Sequence, residues 1–308
     1  MNKNHELAII GAGAAGCTAA IYAGRSGVKT VVFDRGSGGG LMFTAPKIEN
    51  YPGFKEITGM ELATRFVEHA RRYADIHMGE EVKNIKKTND VFLIETDKDI
   101  YEVKAVILST GSNPRKLGVD GEEKLAGKGV SYCATCDGFF FRGKKVAVVG
   151  GGNTAAEEAI YLTKFAEKVY LVHRRDKLRA DKILQKRLLN NKKIEVIWDT
   201  VPERIYGNNQ VKGVILKNVK SNETKEKECA GVFIFVGVKP NTDFVKGWID
   251  VDEKGFILTN EKMETSREGV FACGDVRSNL MKQVVVACSE GAQAAFMAGK
   301  YLEWKEGQ

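Results

Sequence analysis

The sequence has 308 residues, of which 43% are hydrophobic and 28% charged, with a formal net charge of +7. This length is typical of about two domains, and the apolar fraction is too high for a disordered chain. Six cysteines in so long a chain do not indicate a disulfide scaffold, and no apolar run approaches the ~18 residues of a membrane span. No segment forms a basic arm and no nucleic-acid-binding motif is recognised, so nucleic-acid binding is not expected. The N-terminal apolar run is interpreted as a strand and not as a signal peptide, so the predicted location is the cytoplasm.

A short apolar strand at 7–10 precedes glycines in the pattern Gly-x-Gly-x-x-Gly at 11–16, and a helical run and a strand at 30–33 follow. In such a β-α-β unit the first glycine allows a tight turn and the second lets the backbone approach a pyrophosphate. The third allows the helix to pack closely on the strand. Asp34, which stands 23 positions after Gly11, is suited to ribose hydroxyls. The first unit is therefore predicted to bind FAD or NAD.

Cys133 and Cys136 form the only closely spaced cysteine pair. A structural zinc site needs four ligands, usually from two such pairs, so a redox pair is favoured over zinc. In a redox C-x-x-C a thiol pKa can fall to about 7, which supplies the thiolate for thiol–disulfide exchange. Asp137 could transfer protons as the sulfurs change state, or Asp137-Gly138 could simply form a turn, and the residues alone favour neither. Structural roles are expected for the other cysteines, Cys17, Cys229, Cys273 and Cys288.

The first pattern recurs in the middle of the chain. An apolar strand at 146–149 precedes Gly150-Gly151-Gly152-Asn153-Thr154-Ala155, and a helical run and a strand at 169–172 follow. His173 stands 23 positions after Gly150, where the first unit has its aspartate, and a basic cluster continues through Arg174, Arg175 and Arg179. Guanidinium groups bind phosphate through bidentate, charge-assisted hydrogen bonds, so the cluster favours a 2′-phosphate and hence NADPH. The alternative is a solvated basic start of a helix.

Together these motifs resemble the low-molecular-weight, bacterial-type thioredoxin reductases, which are FAD- and NADPH-dependent pyridine nucleotide-disulfide oxidoreductases. The resemblance covers nearly the whole chain, and the placement of the cysteine pair in the second unit is specific to this family. It is carried by Glu49-Asn50-Tyr51-Pro52-Gly53, Ser109-Thr110-Gly111, residues 129–137, residues 150–158, His173-Arg174-Arg175, Gly237-Val238-Lys239-Pro240-Asn241-Thr242 and Gly274-Asp275-Val276.

The resemblance implies an α/β fold with two Rossmann-like dinucleotide-binding domains. A discontinuous FAD-binding domain, residues 1–115 and 245–308, would contain an inserted NADPH-binding domain, residues 116–244, that carries the redox-active cysteines. The crossings near 111–114 and 239–242 each contain proline. The resemblance also implies a homodimer.

The activity implied by the resemblance is that of a thioredoxin-disulfide reductase. NADPH would reduce FAD, FAD would reduce the Cys133–Cys136 disulfide, and the dithiol would reduce thioredoxin or a similar small dithiol protein. By analogy Cys136 would face the flavin, Cys133 would attack the partner, and Asp137 would be the proton donor and acceptor. Because NADPH and the disulfide belong to one domain and both need the flavin, we expect this domain to rotate.

Two other interpretations remain. One is a flavin disulfide reductase that uses ferredoxin as donor or another small dithiol protein as client. The other is a flavin-binding redox sensor without turnover, against which the C-x-x-C and the second nucleotide site argue.

The family pattern maps cofactor contacts onto individual residues. The predicted FAD contacts are Gly11, Gly13, Ala14, Gly16, Asp34, Arg35, Gly40, Leu41, Asn50, Thr110, Gly111, Gly274, Asp275, Lys282, Gln283 and Val284, with Asp275 on the ribityl chain. The predicted NADPH contacts are Gly150, Gly152, Asn153, Thr154, His173, Arg174, Arg175 and Arg179, and no metal site is predicted. The sequence departs from the pattern at Ala14, Leu41 and Lys282, where the family usually has Pro, Gln and Arg. Lysine keeps the charge of arginine but not its planar fork.

Overall fold

The computed structural model describes residues 5–45, 48–279 and 281–307. The chain forms two compact units. It passes from the first to the second after Asn113 and returns to the first after Val238. We call the described residues up to Asn113 and from Lys239 onwards unit 1, and Pro114–Val238 unit 2.

The core of unit 1 is a five-stranded parallel sheet in the order β18-β7-β1-β2-β3. Its strands are β1 (Leu7–Ile10), β2 (Thr30–Asp34), β3 (Asp75–Met78), β7 (Ala105–Leu108) and β18 (Val270–Ala272). β1 and β7 are buried along their whole length, as expected at the centre of a sheet that is covered on both faces. The strand order reverses between β1 and β7, and such a point opens a ligand crevice at the carboxyl ends of the strands.

The two faces of this sheet are covered differently. Leu7 and Ile9 pack against α1 (Ala14–Arg25) and α6 (Val284–Glu306), while Ala8 and Ile10 pack against an antiparallel meander. The meander consists of β4 (Val82–Thr88), β5 (Val91–Thr96) and β6 (Ile100–Val103). Alanine and glycine dominate the buried positions of α1 and α6, which lets the two helices approach closely. A further helix of unit 1 is α2 (Gly59–Ala70), which begins after Thr58, the acceptor of the Glu61 N–H.

Unit 2 repeats this construction. Its sheet is also parallel, in the order β12-β11-β10-β16-β9, and a second antiparallel meander packs on it. The sheet strands are β9 (Val130–Ser131), β10 (Lys145–Gly150), β11 (Lys168–Val172), β12 (Ile194–Ile197) and β16 (Gly231–Phe235). The meander strands are β13 (Thr200–Gly207), β14 (Val211–Asn218) and β15 (Thr224–Glu228), and the helices are α3 (Ala134–Asp137), α4 (Asn153–Leu162) and α5 (Lys182–Leu189). The predicted α/β class with two Rossmann-like halves is confirmed.

Both crossings are ordered. β8 (Ser112–Pro114) and β17 (Val238–Pro240) pair with each other as a two-stranded ribbon. Short 3₁₀ helices occupy Gly40–Thr44, Gly138–Phe141, Asp243–Val245 and Gly274–Val276. Within the described ranges, none of the helices is long and apolar enough to cross a membrane.

Candidate functional site

The glycines between β1 and α1 have different surroundings. A Cβ on Gly11, whose φ is +107°, would lie 2.4 Å from the Ser109 carbonyl oxygen, and a Cβ on Gly16 would lie 1.8 Å from the Gly11 oxygen. A Cβ on Gly13 would meet nothing within 4 Å. The first and third glycines therefore serve packing. The second leaves open space before the N-terminus of α1, where the unpaired N–H groups favour an anion.

Asp34 is held beside this loop by two backbone hydrogen bonds. Its Oδ2 accepts the Ala12 N–H at 2.8 Å, and its Oδ1 accepts the Gly36 N–H at 2.8 Å. Each carboxylate oxygen keeps further acceptor capacity, which suits it to ribose hydroxyls. Arg35, the next residue, is exposed.

The segment after β7 lies against the same loop. The Ser109 hydroxyl is 2.8 Å from the Gly11 carbonyl oxygen. Thr110 and Asn241 exchange two hydrogen bonds. The Thr110 hydroxyl donates to the Asn241 carbonyl at 2.8 Å, and the Asn241 amide donates to the Thr110 carbonyl at 2.8 Å. The Asn241 backbone N–H also donates to the Gly111 carbonyl at 3.0 Å. The sequence marked Asn241 only as part of a crossing, although it fixes two predicted flavin-site residues.

Residues near the start of α6 complete this end of unit 1. The Gly274 N–H donates to Glu290 Oε2 at 2.7 Å, and Arg277 donates to Glu290 Oε1 at 2.6 Å. Burial raises the pKa of the Asp275 carboxyl, against the opposing effect of Lys282. Lys282 Nζ donates to the Asp275 backbone oxygen at 2.9 Å, and burial lowers the pKa of this lysine. Sequence reasoning missed Glu290 and Arg277; the signal was a lone acid on the buried face of an apolar helix.

The remaining predicted flavin contacts come from three segments. Gly40 and Leu41 begin the 3₁₀ helix at Gly40–Thr44; a Cβ on Gly40 would lie 3.5 Å from Gly13 Cα, and Leu41 is 48% exposed. The Asn50 amide donates to Gln283 Oε1 at 3.0 Å. Gln283 precedes α6 in the N-cap position, without a side-chain capping hydrogen bond, and Val284 is the first residue of the helix.

The glycines of the second loop, between β10 and α4, likewise comprise closely packed positions and one open position. A Cβ on Gly150 would lie 2.6 Å from the Ala155 Cβ, and a Cβ on Gly151 would lie 2.1 Å from the His173 ring. A Cβ on Gly152 would meet nothing within 4 Å. Open space again lies before a helix N-terminus, and Asn153 and Thr154 are the exposed first residues of that helix.

The segment 173–181 is fastened to this loop. The Arg179 N–H donates to the Gly151 carbonyl at 2.7 Å. The Asn153 amide donates to Asp181 Oδ2 at 2.9 Å, and the Asp181 N–H donates to Asn153 Oδ1 at 2.8 Å. His173 is only 5% exposed, and its Nε2 is 2.9 Å from the Lys177 carbonyl oxygen. Burial lowers the pKa of His173, which favours the neutral imidazole. The ring lies against Gly151 of the loop.

The predicted arginines of this segment are all exposed. Among the residues that the structure describes, none of Arg174, Arg175 and Arg179 forms an ion pair with an acidic side chain. Three guanidinium groups are therefore available to an anion beside the second glycine loop.

Cys133 and Cys136 form a disulfide, with 5.3 Å between their Cα atoms. Cys133 is the N-cap of α3; its Sγ accepts the Cys136 N–H at 3.1 Å and lies 3.3 Å from the Thr135 hydroxyl. Asp137 ends this helix, and its Oδ2 accepts the Ser131 hydroxyl at 2.6 Å. Burial raises the pKa of the Asp137 carboxyl, while the Ser131 hydrogen bond opposes the shift. A carboxyl whose pKa is raised is suited to proton transfer closer to neutral pH.

The other cysteines lie apart from this chemistry. Cys17, Cys229 and Cys273 are buried and Cys288 is partly buried. Burial raises the pKa of Cys17 and of Cys229 to about 12, and it also raises the pKa of Cys273 and of Cys288. These thiols stay protonated at neutral pH and are poor nucleophiles. In the described part of the chain no group of three His, Cys, Asp or Glu side chains is placed to hold a metal ion.

Two Rossmann-like loops and a disulfide beside a partly buried carboxyl define a nucleotide-linked disulfide oxidoreductase. The chain belongs to the pyridine nucleotide-disulphide oxidoreductase family, whose profile matches residues 5–291. This confirms the resemblance seen in the sequence, and it implies the use of a pyridine nucleotide and a flavin.

Individual relatives match over nearly the whole chain. A thioredoxin reductase of Peptoclostridium acidaminophilum is 43% identical over an alignment of 310 positions that covers 98% of this chain and 98% of the relative. A 34.2 kDa protein in a rubredoxin operon of Clostridium pasteurianum is 43% identical over 304 residues, 98% of this chain and 99% of that protein. The crystal structure of thioredoxin reductase from Streptococcus pyogenes MGAS5005 superposes with a TM-score of 0.94 at 45% identity, over 97% of this chain and 98% of that one.

Proposed function

We propose that the chain is a cytoplasmic thioredoxin-disulfide reductase that binds FAD in unit 1 and NADPH in unit 2. The observation that carries the proposal is the Cys133–Cys136 disulfide, which stands in one unit with a glycine loop and an exposed arginine cluster. The relatives named thioredoxin reductase support the choice of thioredoxin, or a similar small dithiol protein, as client. The same family resemblance supports a homodimer.

The glycine loops support the assignment of two cofactors. The open space at Gly13 and at Gly152 fits a pyrophosphate at each helix N-terminus. Asp34 accepts hydrogen bonds and repels a 2′-phosphate, whereas Arg174, Arg175 and Arg179 attract one. With FAD held at Gly13 and Asp34 and NADPH held at Gly152 and the three arginines, the two cofactors would supply the two-electron reduction of the Cys133–Cys136 disulfide.

The thiol chemistry follows from the surroundings of the two sulfurs. In the reduced protein the Cys136 N–H and the Thr135 hydroxyl are placed to stabilise a Cys133 thiolate. This thiolate attacks the client disulfide, so that a mixed disulfide forms and the other client sulfur leaves. Cys136 then attacks Cys133, which re-forms the intramolecular disulfide and releases the second client thiol. Asp137 accepts the proton of the attacking thiol and returns it to a leaving sulfur.

The first test is spectroscopic. The purified protein should show flavin absorbance, and anaerobic NADPH should bleach it at concentrations at which NADH does not. Bleaching by reduced ferredoxin with no response to NADPH would favour the ferredoxin-linked alternative. Protein that stays colourless after FAD is supplied would refute the proposal.

The second test is steady-state reduction of oxidised thioredoxin by NADPH. Cys133→Ser and Cys136→Ser should each abolish thioredoxin reduction, because each removes one sulfur of the exchange. Cys229→Ser is the matched control, since this thiol is buried and should leave turnover intact. Thioredoxin reduction that persists in either active-pair variant would contradict the proposed role, and flavin bleaching without any client reduction would favour the sensor.

A further inference from the structure

Ser131 is a buried hydroxyl with three polar neighbours. It ends β9 and is 5% exposed. Its Oγ lies 2.6 Å from Asp137 Oδ2, 3.2 Å from the Cys133 carbonyl oxygen and 3.1 Å from the Cys133 backbone nitrogen. One side chain therefore contacts both the carboxyl proposed to move protons and the backbone of the cysteine proposed to attack the client.

Counting hydrogens shows that this arrangement accepts either charge state of the carboxyl. A serine hydroxyl has one proton to donate and can accept two hydrogen bonds, and the Cys133 N–H takes one of these acceptor positions. When Asp137 is ionised, the hydroxyl donates its proton to the carboxylate. When Asp137 is protonated, the carboxylic acid donates to Ser131 Oγ, and the hydroxyl proton turns to the Cys133 carbonyl. Neither state requires a heavy atom to move.

We propose that Ser131 is a positioning residue that keeps Asp137 hydrogen-bonded in both of its protonation states by reversing the direction of the bond between them. The inference rests on the proposed function, because it gives the proton transfer by Asp137 a structural basis. It also connects the protonation state of the carboxyl with the backbone that carries the Cys133 sulfur.

The other groups around Asp137 leave Ser131 as its main polar support. α3 packs against α4, whose titratable residues are Glu157, Glu158 and Tyr161, and against the uncharged 3₁₀ helix at Gly138–Phe141. The two cysteines add titratable thiols only after reduction. Burial raises the pKa of Asp137, and the Ser131 hydrogen bond is the influence that lowers it. Removing the hydroxyl should therefore raise this pKa further, since the charged form loses more than the neutral form.

The primary experiment needs no client. The flavin-loaded protein with its disulfide intact is labelled with ¹³C at the aspartate carboxyls, and the Asp137 resonance is assigned with Asp137→Asn and followed against pH. Ser131→Ala should move the midpoint of this resonance upward by about one pH unit, as expected for the loss of a hydrogen bond to a charged group. Ser131→Thr should keep the midpoint of the wild-type protein. Ser221→Ala, which alters a serine in an exposed turn, should not move it.

A second pair of variants covers the case in which Ser131→Ala does not fold. Thr and Val have nearly the same shape and differ in the hydroxyl, so Ser131→Val should shift the midpoint and Ser131→Thr should not. An unchanged midpoint in Ser131→Ala or Ser131→Val would overturn the proposal.

Client reduction supplies an independent readout. In single-turnover reduction of oxidised thioredoxin by the reduced protein, the pH midpoint of the rate should move with the carboxyl midpoint. A rate that falls equally at every pH, with the carboxyl midpoint unchanged, would show a merely structural role for Ser131. If the wild-type protein reduces no thioredoxin at any pH, the proposed function fails, while the carboxyl titration still decides the role of Ser131.

Discussion

At the scale of single residues, the proposed preference for NADPH depends on Arg174, Arg175 and Arg179. Each is exposed, and each belongs to the segment fastened to the second glycine loop. A hydrogen bond to a charged group is worth about 1.5 kcal/mol or more, which is about tenfold in affinity. Each Arg→Gln substitution should therefore raise the NADPH KM about tenfold.

The controls for this prediction are the kinetics with NADH, the flavin spectrum and a substitution at a distant arginine. The KM for NADH and the flavin spectrum should not change, and Arg187→Gln on α5, an exposed arginine of the same unit, should behave as wild type. Equal losses with NADH and NADPH would mean that the arginines act on folding or on the nicotinamide half instead of the 2′-phosphate.

Candidate site residues can be proposed from the sequence where neighbours in sequence are neighbours in space. The arginine cluster, Asp34 and the cysteine pair are visible because each lies at a fixed offset within one β-α-β unit or one turn. The supporting roles of Asn241 and Glu290 are not predicted from the sequence, because their partners Thr110 and Gly274 lie 131 and 16 residues away. Only the folded chain shows that these two residues hold predicted contacts in place.

At the scale of elements, the two glycine loops give a matched pair of substitutions. Gly16→Ala places a Cβ 1.8 Å from a backbone oxygen that cannot move away, so it should lower the free energy of unfolding by about 3 kcal/mol. Gly13→Ala places its Cβ in open space and should leave the flavin-free protein within about 1 kcal/mol of wild type. Because the same methyl group occupies the space proposed for the pyrophosphate, Gly13→Ala should still weaken FAD binding.

Urea unfolding of flavin-free protein and titration with FAD separate these two effects. Gly152→Ala is the equivalent change in unit 2, and it should weaken NADPH binding without altering FAD content. Undiminished FAD affinity in Gly13→Ala would show that the cofactor does not approach this loop.

Whether a strand and its pairing can be predicted from the sequence also depends on whether the relevant contacts are local or distant along the chain. The strands predicted at 146–149 and 169–172 are observed as Lys145–Gly150 and Lys168–Val172, because an apolar run followed by glycine or by charge marks a buried parallel strand. The pairing of one edge strand in each sheet, β9 and β18, is not apparent from the sequence. β9 is two residues long and pairs with β16 about a hundred positions later, while β18 returns to β7 from the far end of the chain. Such pairings depend on tertiary packing and leave little local pattern.

At the scale of the whole molecule, the net charge is unevenly distributed. Residues 114–238 contain 24 Lys and Arg against 15 Asp and Glu, a net charge of +9, whereas the rest of the chain contains 23 against 25, a net charge of −2. The excess of positive charge therefore lies in the unit that carries the disulfide. A field of this sign speeds the approach of an acidic client and is weakened by salt.

We therefore expect the rate at which the reduced protein reduces an acidic thioredoxin to fall as salt is raised, because the Debye length shrinks from about 10 Å at 0.1 M to about 3 Å at 1 M. Single-turnover mixing isolates this step from NADPH binding, which is also salt-sensitive. A neutral small-molecule disulfide is the control and should react at the same rate throughout. Arg142→Glu, which reverses a charge 5.1 Å above the Phe139 ring and close in sequence to Cys136, should lower the rate with the acidic client alone. Lys225→Glu on the exposed strand β15 should have a smaller effect, since it is distant in sequence from the disulfide. A rate with the acidic client that does not respond to salt would show that the charge of unit 2 serves nucleotide binding or solubility instead of client capture.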